Sequence, residues 1–520
     1  MNLTVCSQII EGSLRKPWKN AIAVGRAYEL LRQDTLDHLR FVQRSIGYRY
    51  CRFHGLFHDE MAVVARREDG SLAFRWHQID KVYDALIEMG LKPFVELNPM
   101  PSALASGTAT IFDWRMNVTP PRDYLEWEQL VEAFTRHCVD RYGINEVRQW
   151  YFEVWNEPNL PGFWTGTKDE YWKLYDASAR AVKRVSESLR VGGPASSKAN
   201  WIEDTINHCT TENVPLDFIS THLYPQDEYV TYPDRKGSPH APGDYFADTV
   251  RSVQRIVAES SRPDLEIHWT EWNSLSTSST AAVTWTENTW VDSLNGAAVV
   301  CRACLALDDA CDTLCWWVAS DVFEESGMPQ SEFSSTYGLI TLNGLPKATF
   351  HAFEFLNRLG DTRLQTESDE ELPSGCGWHV TQKAETLQVL LWHQFLPEIP
   401  GQTSWRGRVT APTVNEGRSI LIQSRIGWGH GSAWETWLEL GQPQNLSHEE
   451  MRLLRSHSQP QCRLFLHPEE GVPASWDFDL APGEVVLFEL RRQGVAALPK
   501  SALREELAQW EQQMSDISRA

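Results

Sequence analysis

The chain has 520 residues, and its 48 Lys and Arg against 70 Asp and Glu leave a net charge of −22. That length supports two to four domains with a large core, and an acidic chain without a basic block argues against nucleic acid or an anionic membrane surface as partner. The 23 Trp and 14 Tyr suit both core packing and stacking on sugar faces, and ordinary core use accounts for most of them.

The opening residues "MNLTVCSQIIEGSLRK" lack a basic region followed by an apolar run of about 7–15 residues. Nowhere does the chain offer the roughly 18 consecutive apolar residues of a membrane span. A soluble, cytoplasmic protein is therefore expected. Its ten Cys then read as reduced thiols and not as a disulfide framework. Cys301, Cys304, Cys311 and Cys315 have a zinc-like spacing, but they fall in apolar helix-like and strand-like runs, which favours core thiols over a metal site.

Residues 1–18 begin with "NLTVCSQI", a short strand that needs a partner and is expected to join a later β-domain. Residues 19–360 alternate apolar runs with amphipathic stretches. The runs are "AIAVG" (21–25), "YRYCRFH" (48–54), "KPFVEL" (92–97), "WYFEVW" (150–155), "LRVGGPA" (189–195), "DFISTHLY" (217–224), "EIHWTEW" (266–272) and "LCWWVAS" (314–320). Between them lie helical spacings such as Trp127, Leu130, Val131, Phe134 and Cys138, or Phe246, Val250, Val253 and Val257. An eighth helix in "KATFHAFEFLNRLG" completes the pattern of a (β/α)8 barrel. A doubly wound sheet is the alternative, weakened by the missing glycine-rich loop after the first run.

From 361 to 497 short runs bounded by Gly, Pro and Asn take over, among them "TLQVLLWHQF", "RSILIQSRIGW" and "GEVVLFELRR". They predict an antiparallel β-sandwich. Residues 498–520 place Leu503, Leu507, Trp510, Met514 and Ile517 on one stripe of a helix, which packs on its own barrel or against another copy in a homo-oligomer.

In such a barrel, functional groups gather at the C-terminal ends of the strands. Glu157, in "EVWNEPNL", follows the fourth run, and Pro158 turns the chain out of the sheet. Glu271, in "HWTEWN", ends the seventh. Carboxylates in Trp-rich strand ends are costly unless used or paired. Two at one barrel mouth suit glycoside hydrolysis, where one serves as acid and the other as nucleophile; the bland alternative is a structural network.

Five stretches in order, "YCRFHGLFHDEM", "WYFEVWNEPNLPGFW", "ISTHLYPQD", "HWTEWNS" and "WWVASDVFEESG", resemble the bacterial β-xylosidase branch of glycoside hydrolase family 39. The resemblance runs from "PWKNAIAVGRAYELLRQD" through "YGLITLNGLPKATFHAFEFLNRLG". It implies a retaining exo-glycosidase that removes terminal β-D-xylose from xylo-oligosaccharides, with Glu157 as acid/base and Glu271 as nucleophile and with no metal or organic cofactor. It further implies sugar contacts from His54, Asn156, Phe163, His222, Tyr224, Trp317, Glu324 and Glu325. His58 and Asp59 are left outside this set. The family also holds α-L-iduronidases, but a uronate wants an Arg or Lys partner and "FEES" offers two acids and no base. The other readings are α-L-arabinopyranoside, a uronide or a released disaccharide as substrate, or a barrel that only binds carbohydrate.

Overall fold

The computed structural model describes residues 1–224, 227, 242–274, 292–396, 399, 401–413, 419–467 and 473–492. Eight parallel strands, β1 (Ala21–Arg26), β2 (Tyr50–His54), β3 (Lys92–Leu97), β4 (Tyr151–Val154), β5 (Arg190–Ser196), β6 (Phe218–His222), β7 (Glu266–Trp272) and β8 (Thr313–Trp316), pair in chain order. Trp316 of β8 pairs with Ile22 of β1 and closes the ring, which rules out the doubly wound alternative.

A long helix follows each strand: α1 (Gln33–Ile46), α2 (His77–Glu88), α3 (Tyr124–Tyr142), α4 (Lys168–Val185), α5 (Ile202–Thr211), α6 (Pro242–Glu259), α7 (Asn295–Ala306) and α8 (Ala348–Arg358). Their starts are written locally. The Asp123 side chain accepts a hydrogen bond from the Leu125 N–H, and Thr167 with Glu170 forms a reciprocal capping box at α4. The apolar stripe of α3 is buried as its spacing predicts.

Inside the barrel, side chains two residues apart stack in layers. Tyr50, Phe94, Tyr151 and Phe218 belong to an apolar cluster at the base, joined by His268, whose ring lies 4.5 Å from Tyr151. Two residues further along the strands come the buried polar groups Arg52, Glu96, Glu153, Ser220 and Thr270. His54, Asn98 and His222 follow at the mouth.

Period-two alternation along β7 would send Glu271 to the opposite face from Thr270. The β6–β7 register instead slips between Thr221↔Trp269 and His222↔Glu271. This bulge re-aims the strand end, so that Thr270 and Glu271 both reach groups inside the barrel.

The C-terminal strands are β9 (Thr362–Ser368), β10 (Cys376–Lys383), β11 (Thr386–His393), β12 (Trp405–Thr413), β13 (Ser419–Ile426), β14 (Gln461–His467), β15 (Pro473–Leu480) and β16 (Val485–Arg492). They form one nine-stranded sheet with the strand Asn2–Ser13, in the order β14-β13-β16-β11-β10-β9-N-terminal strand-β12-β15. Trp476 of β15 meets Phe488 of β16 at 5.5 Å, although the sheet order separates their strands. The sheet therefore curls over a shared core and gives the sandwich-like body expected. The N-terminal strand runs antiparallel to β9 and parallel to β12, with Leu3 and Val5 in that core.

Cys301, Cys304 and Cys311 lie in the apolar core around the barrel and Cys315 in the cluster within it. The stripe from Leu503 to Ile517 lies outside the described residues. Among the described residues, no helix is long and apolar enough to cross a membrane.

Because Leu3 is buried between distant strands, Leu3→Ala is expected to destabilise the C-terminal sheet by about 2–5 kcal/mol. A lower denaturant midpoint by near-ultraviolet dichroism would show it.

Candidate active site

The site is built on Arg52 of β2, which is fully buried. Its Nε donates to Glu153 at 2.6 Å, Nη1 to Glu271 at 2.8 Å and Nη2 to the Asn156 side-chain carbonyl at 2.9 Å. Nη2 also lies 2.6 Å from Glu96. The carboxylates respond differently. Burial pushes Glu96 up to about 8 against the pull of Arg52. At Glu153 burial also pushes upward, but Arg52, His222 and hydrogen bonds outweigh it and hold the carboxyl below its ordinary value.

Glu157 sits past the end of β4, where Trp155 and Glu157 both take left-handed backbone, with φ of 72° and 46°. For non-glycine residues this costs about 1–3 kcal/mol each and persists only where neighbours hold it. Here they do. The Glu157 N–H donates to the Ala195 carbonyl at 2.8 Å, and Asn159 bonds both the N–H and the carbonyl of Ser197. Burial pushes the Glu157 carboxyl up to about 7, against the lowering influence of Ser197, His54, Arg52 and Lys198.

Glu271 is held on both oxygens, by Arg52 and by the Tyr224 hydroxyl at 2.8 Å. His222 places Nδ1 3.0 Å from Glu157 and Nε2 3.1 Å from the Thr270 hydroxyl. One oxygen from each of Glu157 and Glu271, with a ring nitrogen of His222, lie within 4.8 Å of one another. These three groups have spacing that a metal ion would accept. A retaining glycosidase brings its carboxyls about 5–5.5 Å apart, without the gap an inverting one keeps for water, and facing oxygens within 4.8 Å are the closeness such a pair shows.

His54 directs Nδ1 to Glu96 at 2.9 Å, and its Nε2 lies 3.7 Å from Glu271 and 3.9 Å from Glu325. Burial pushes both His54 and His222 down to about 4, so both rings are neutral near pH 7. Trp317 packs 4.6 Å from His54, and the peptide that follows it is cis. Phe163 stands further out, edge-on to Phe112, which itself stacks on His54.

The adjacent acids of the eighth loop diverge. Glu325 faces His54 and Glu271, where burial and the negative charges of Glu271, Glu29 and Glu157 push its carboxyl well above the ordinary range. Its position beside His54 and Glu271 is that of a group lining the same space. Glu324 turns to Arg26 and Arg32, so the loop that lacks a base has two beside it. His58, left out of the sequence set, lines a cavity of about 620 Å³ with Trp114, Arg115 and Glu60 on the same rim.

Sequence reasoning missed Arg52, Glu96, Glu153 and Thr270. A signal existed for Glu153, the one polar residue of YFEV, whereas Arg52 shares its strand with His54 and Thr270 shares its strand with His268 and Glu271.

A closed (β/α)8 barrel with such a pair of carboxyls at its mouth defines a glycoside hydrolase of the retaining kind. The model of Glycosyl hydrolases family 39 matches residues 1–471, and the chain belongs to that family. It is 36% identical over 488 residues to a beta-xylosidase of Geobacillus stearothermophilus, covering 92% of this chain and 93% of that one. With a beta-xylosidase of Caldicellulosiruptor saccharolyticus it shares 35% identity over 445 residues, 85% and 88% of the two chains. The crystal structure of a monomeric beta-xylosidase from Caulobacter crescentus CB15 superimposes with a TM-score of 0.82 at 27% identity, over 95% of this chain and 100% of the other.

Removing Arg52 leaves buried carboxylates without their cation, so Arg52→Met is expected to cost about 3–5 kcal/mol of stability. Thermal unfolding against wild type measures it, and an unchanged midpoint would contradict the hub role.

Proposed function

We propose that the protein is an exo-acting β-xylosidase that releases terminal β-D-xylose from short xylo-oligosaccharides, with Glu157 as acid/base and Glu271 as nucleophile. The observation that carries this reading is the asymmetry of two close carboxyls. Glu271 faces a guanidinium and a phenol, whereas Glu157 is buried beside a neutral imidazole and pushed up to about 7. A general acid must hold a proton near neutral pH, and a nucleophile must present a free lone pair.

In the first step Glu157 protonates the glycosidic oxygen while Glu271 attacks the anomeric carbon, forming a glycosyl-enzyme. In the second, ionised Glu157 takes a proton from water, whose oxygen displaces Glu271 from the sugar. Asn156 commits its carbonyl to Arg52, which leaves its amide N–H groups for the 2-hydroxyl. Trp317 offers a ring face, while His54 and Glu325 meet the remaining hydroxyls.

The names of the relatives support xylose over a uronic acid, as does the state of the nearby bases. Arg26 is paired with Glu60 and Glu324 and lies 5.2 Å from the rings of Tyr28 and Trp114, so its charge is already met. Glu324 is accordingly a holder of Arg26 and Arg32 as well as a candidate sugar contact. The ten cysteines are all free thiols, which suits a reducing, cytoplasmic compartment where imported oligosaccharides are degraded.

On nitrophenyl glycosides, the β-D-xyloside is expected to be cleaved faster than the α-L-arabinopyranoside, β-D-glucoside or a uronide. Fastest turnover of the uronide would reject the substrate assignment. Glu157→Ala should lose about 10²–10⁴-fold in kcat on xylobiose, where the leaving group needs protonation, but much less on a dinitrophenyl xyloside.

Glu157 must be protonated to act first, and its carboxyl is raised. Activity in kcat/KM should therefore be present below about pH 7 and fall as pH rises through that value. A pH profile flat to pH 9 would speak against Glu157 as the acid.

A further inference from the structure

The position of every proton between Arg52 and Glu157 follows from the donors available. Glu153 is clamped by the Arg52 Nε at 2.6 Å, so it is ionised and can only accept. Thr270 has one hydroxyl proton, and its oxygen lies 2.8 Å from Glu153 Oε1; that proton goes to Glu153. Toward His222 Nε2, 3.1 Å away, the same oxygen can then only accept, so Nε2 carries a hydrogen. A neutral imidazole has one N–H, which leaves Nδ1 bare. Bare Nδ1 stands 3.0 Å from Glu157 Oε1, a contact that is repulsive for a carboxylate and a hydrogen bond for a carboxylic acid.

We propose that Thr270 is a positioning residue that acts through His222. Anchored by Glu153, it fixes the Nε2–H tautomer and thereby makes His222 an acceptor that keeps the proton on Glu157 in the resting enzyme. The inference rests on the reading of Glu157 as acid/base. It also bears on the second step. Once Glu157 has given up its proton, it faces a lone pair instead of a donor, which makes it a stronger base toward water.

Other groups act on Glu157 as well. Ser197 and Lys198 face it from beyond β5, His54 and Arg52 from β2, Asp227 and Tyr224 from beyond β6, Glu271 from β7 and Glu325 from beyond β8. His222 itself sees Glu271 Oε2 at 3.6 Å and the charges of Arg52, Glu153 and Glu96. All of these remain when Thr270 changes, and the substitution removes the tautomer restraint together with one hydrogen bond to Glu153, which is why the ring's proton is read directly.

In Thr270→Val, Nε2 loses its acceptor and the ring is free to carry hydrogen on Nδ1. It would then donate to ionised Glu157. The falling limb of kcat/KM against pH, measured on xylobiose, should move about one to two units toward acid. Thr270→Ser, which restores the hydroxyl, should return it. Nitrogen-15 spectra of the His222 ring should show bare Nδ1 in the wild type and in Thr270→Ser, and protonated Nδ1 in Thr270→Val. A valine variant whose limb stays in place, or a wild-type ring protonated on Nδ1, overturns the proposal. If Thr270→Val does not fold, the wild-type spectrum alone decides. Glu157→Gln separates the two readings. Should it keep the falling limb, that limb belongs to another group and the acid/base assignment fails. Should it lose the limb while Thr270→Val leaves it unmoved in the parent, only the relay fails.

Discussion

Arg52 brings one positive charge into a barrel interior that also holds Glu96, Glu153 and Glu271, and the site depends on how that charge is divided. Its three nitrogens meet acids of β3, β4 and β7, and Nη2 also holds the amide of Asn156. Burying charge is expensive unless it is paired with good geometry, and one guanidinium cannot balance three ionised neighbours. The molecule resolves the excess by keeping Glu96 in a setting that favours its proton and Glu153 in one that does not. Such a cluster adds little to stability relative to a packed apolar core. What it provides is orientation, because Glu271 and Asn156 are held by the same rigid fork.

Backbone exceptions do the rest of the positioning. A regular β4 would have carried Glu157 along the sheet, and a regular β7 would have turned Glu271 outward. Two left-handed residues at the end of β4 and a slipped register at the end of β7 redirect both toward one point. Departures from ideal geometry concentrate where chemistry needs a side chain that the strand period cannot deliver.

Much of this was legible in the sequence because it is local. Apolar runs marked all eight barrel strands, helical spacing marked the helices between them, and strand-end context singled out Glu157 and Glu271. The hidden part is what closure of the barrel brings together. Arg52 and Glu271 are 219 positions apart, and Arg26 and Glu324 are 298. Nothing in "FEES" reveals that its first acid is claimed by two arginines from the start of the barrel sequence. Likewise, alternation in the last third of the chain reported strands but not their order, so the continuity of the nine-stranded sheet emerged only from the pairing.

The N-terminal strand has a consequence for how the chain comes into being. It fills the slot between β9 and β12, so residues made first complete a sheet whose other members are made last. At a synthesis rate of about 5–20 residues per second, the interval between them is roughly 20–80 s. Throughout that time the strand has both ladder edges open and its Leu3 and Val5 without a core. The barrel can assemble on the ribosome while this strand still awaits the partners that cover it.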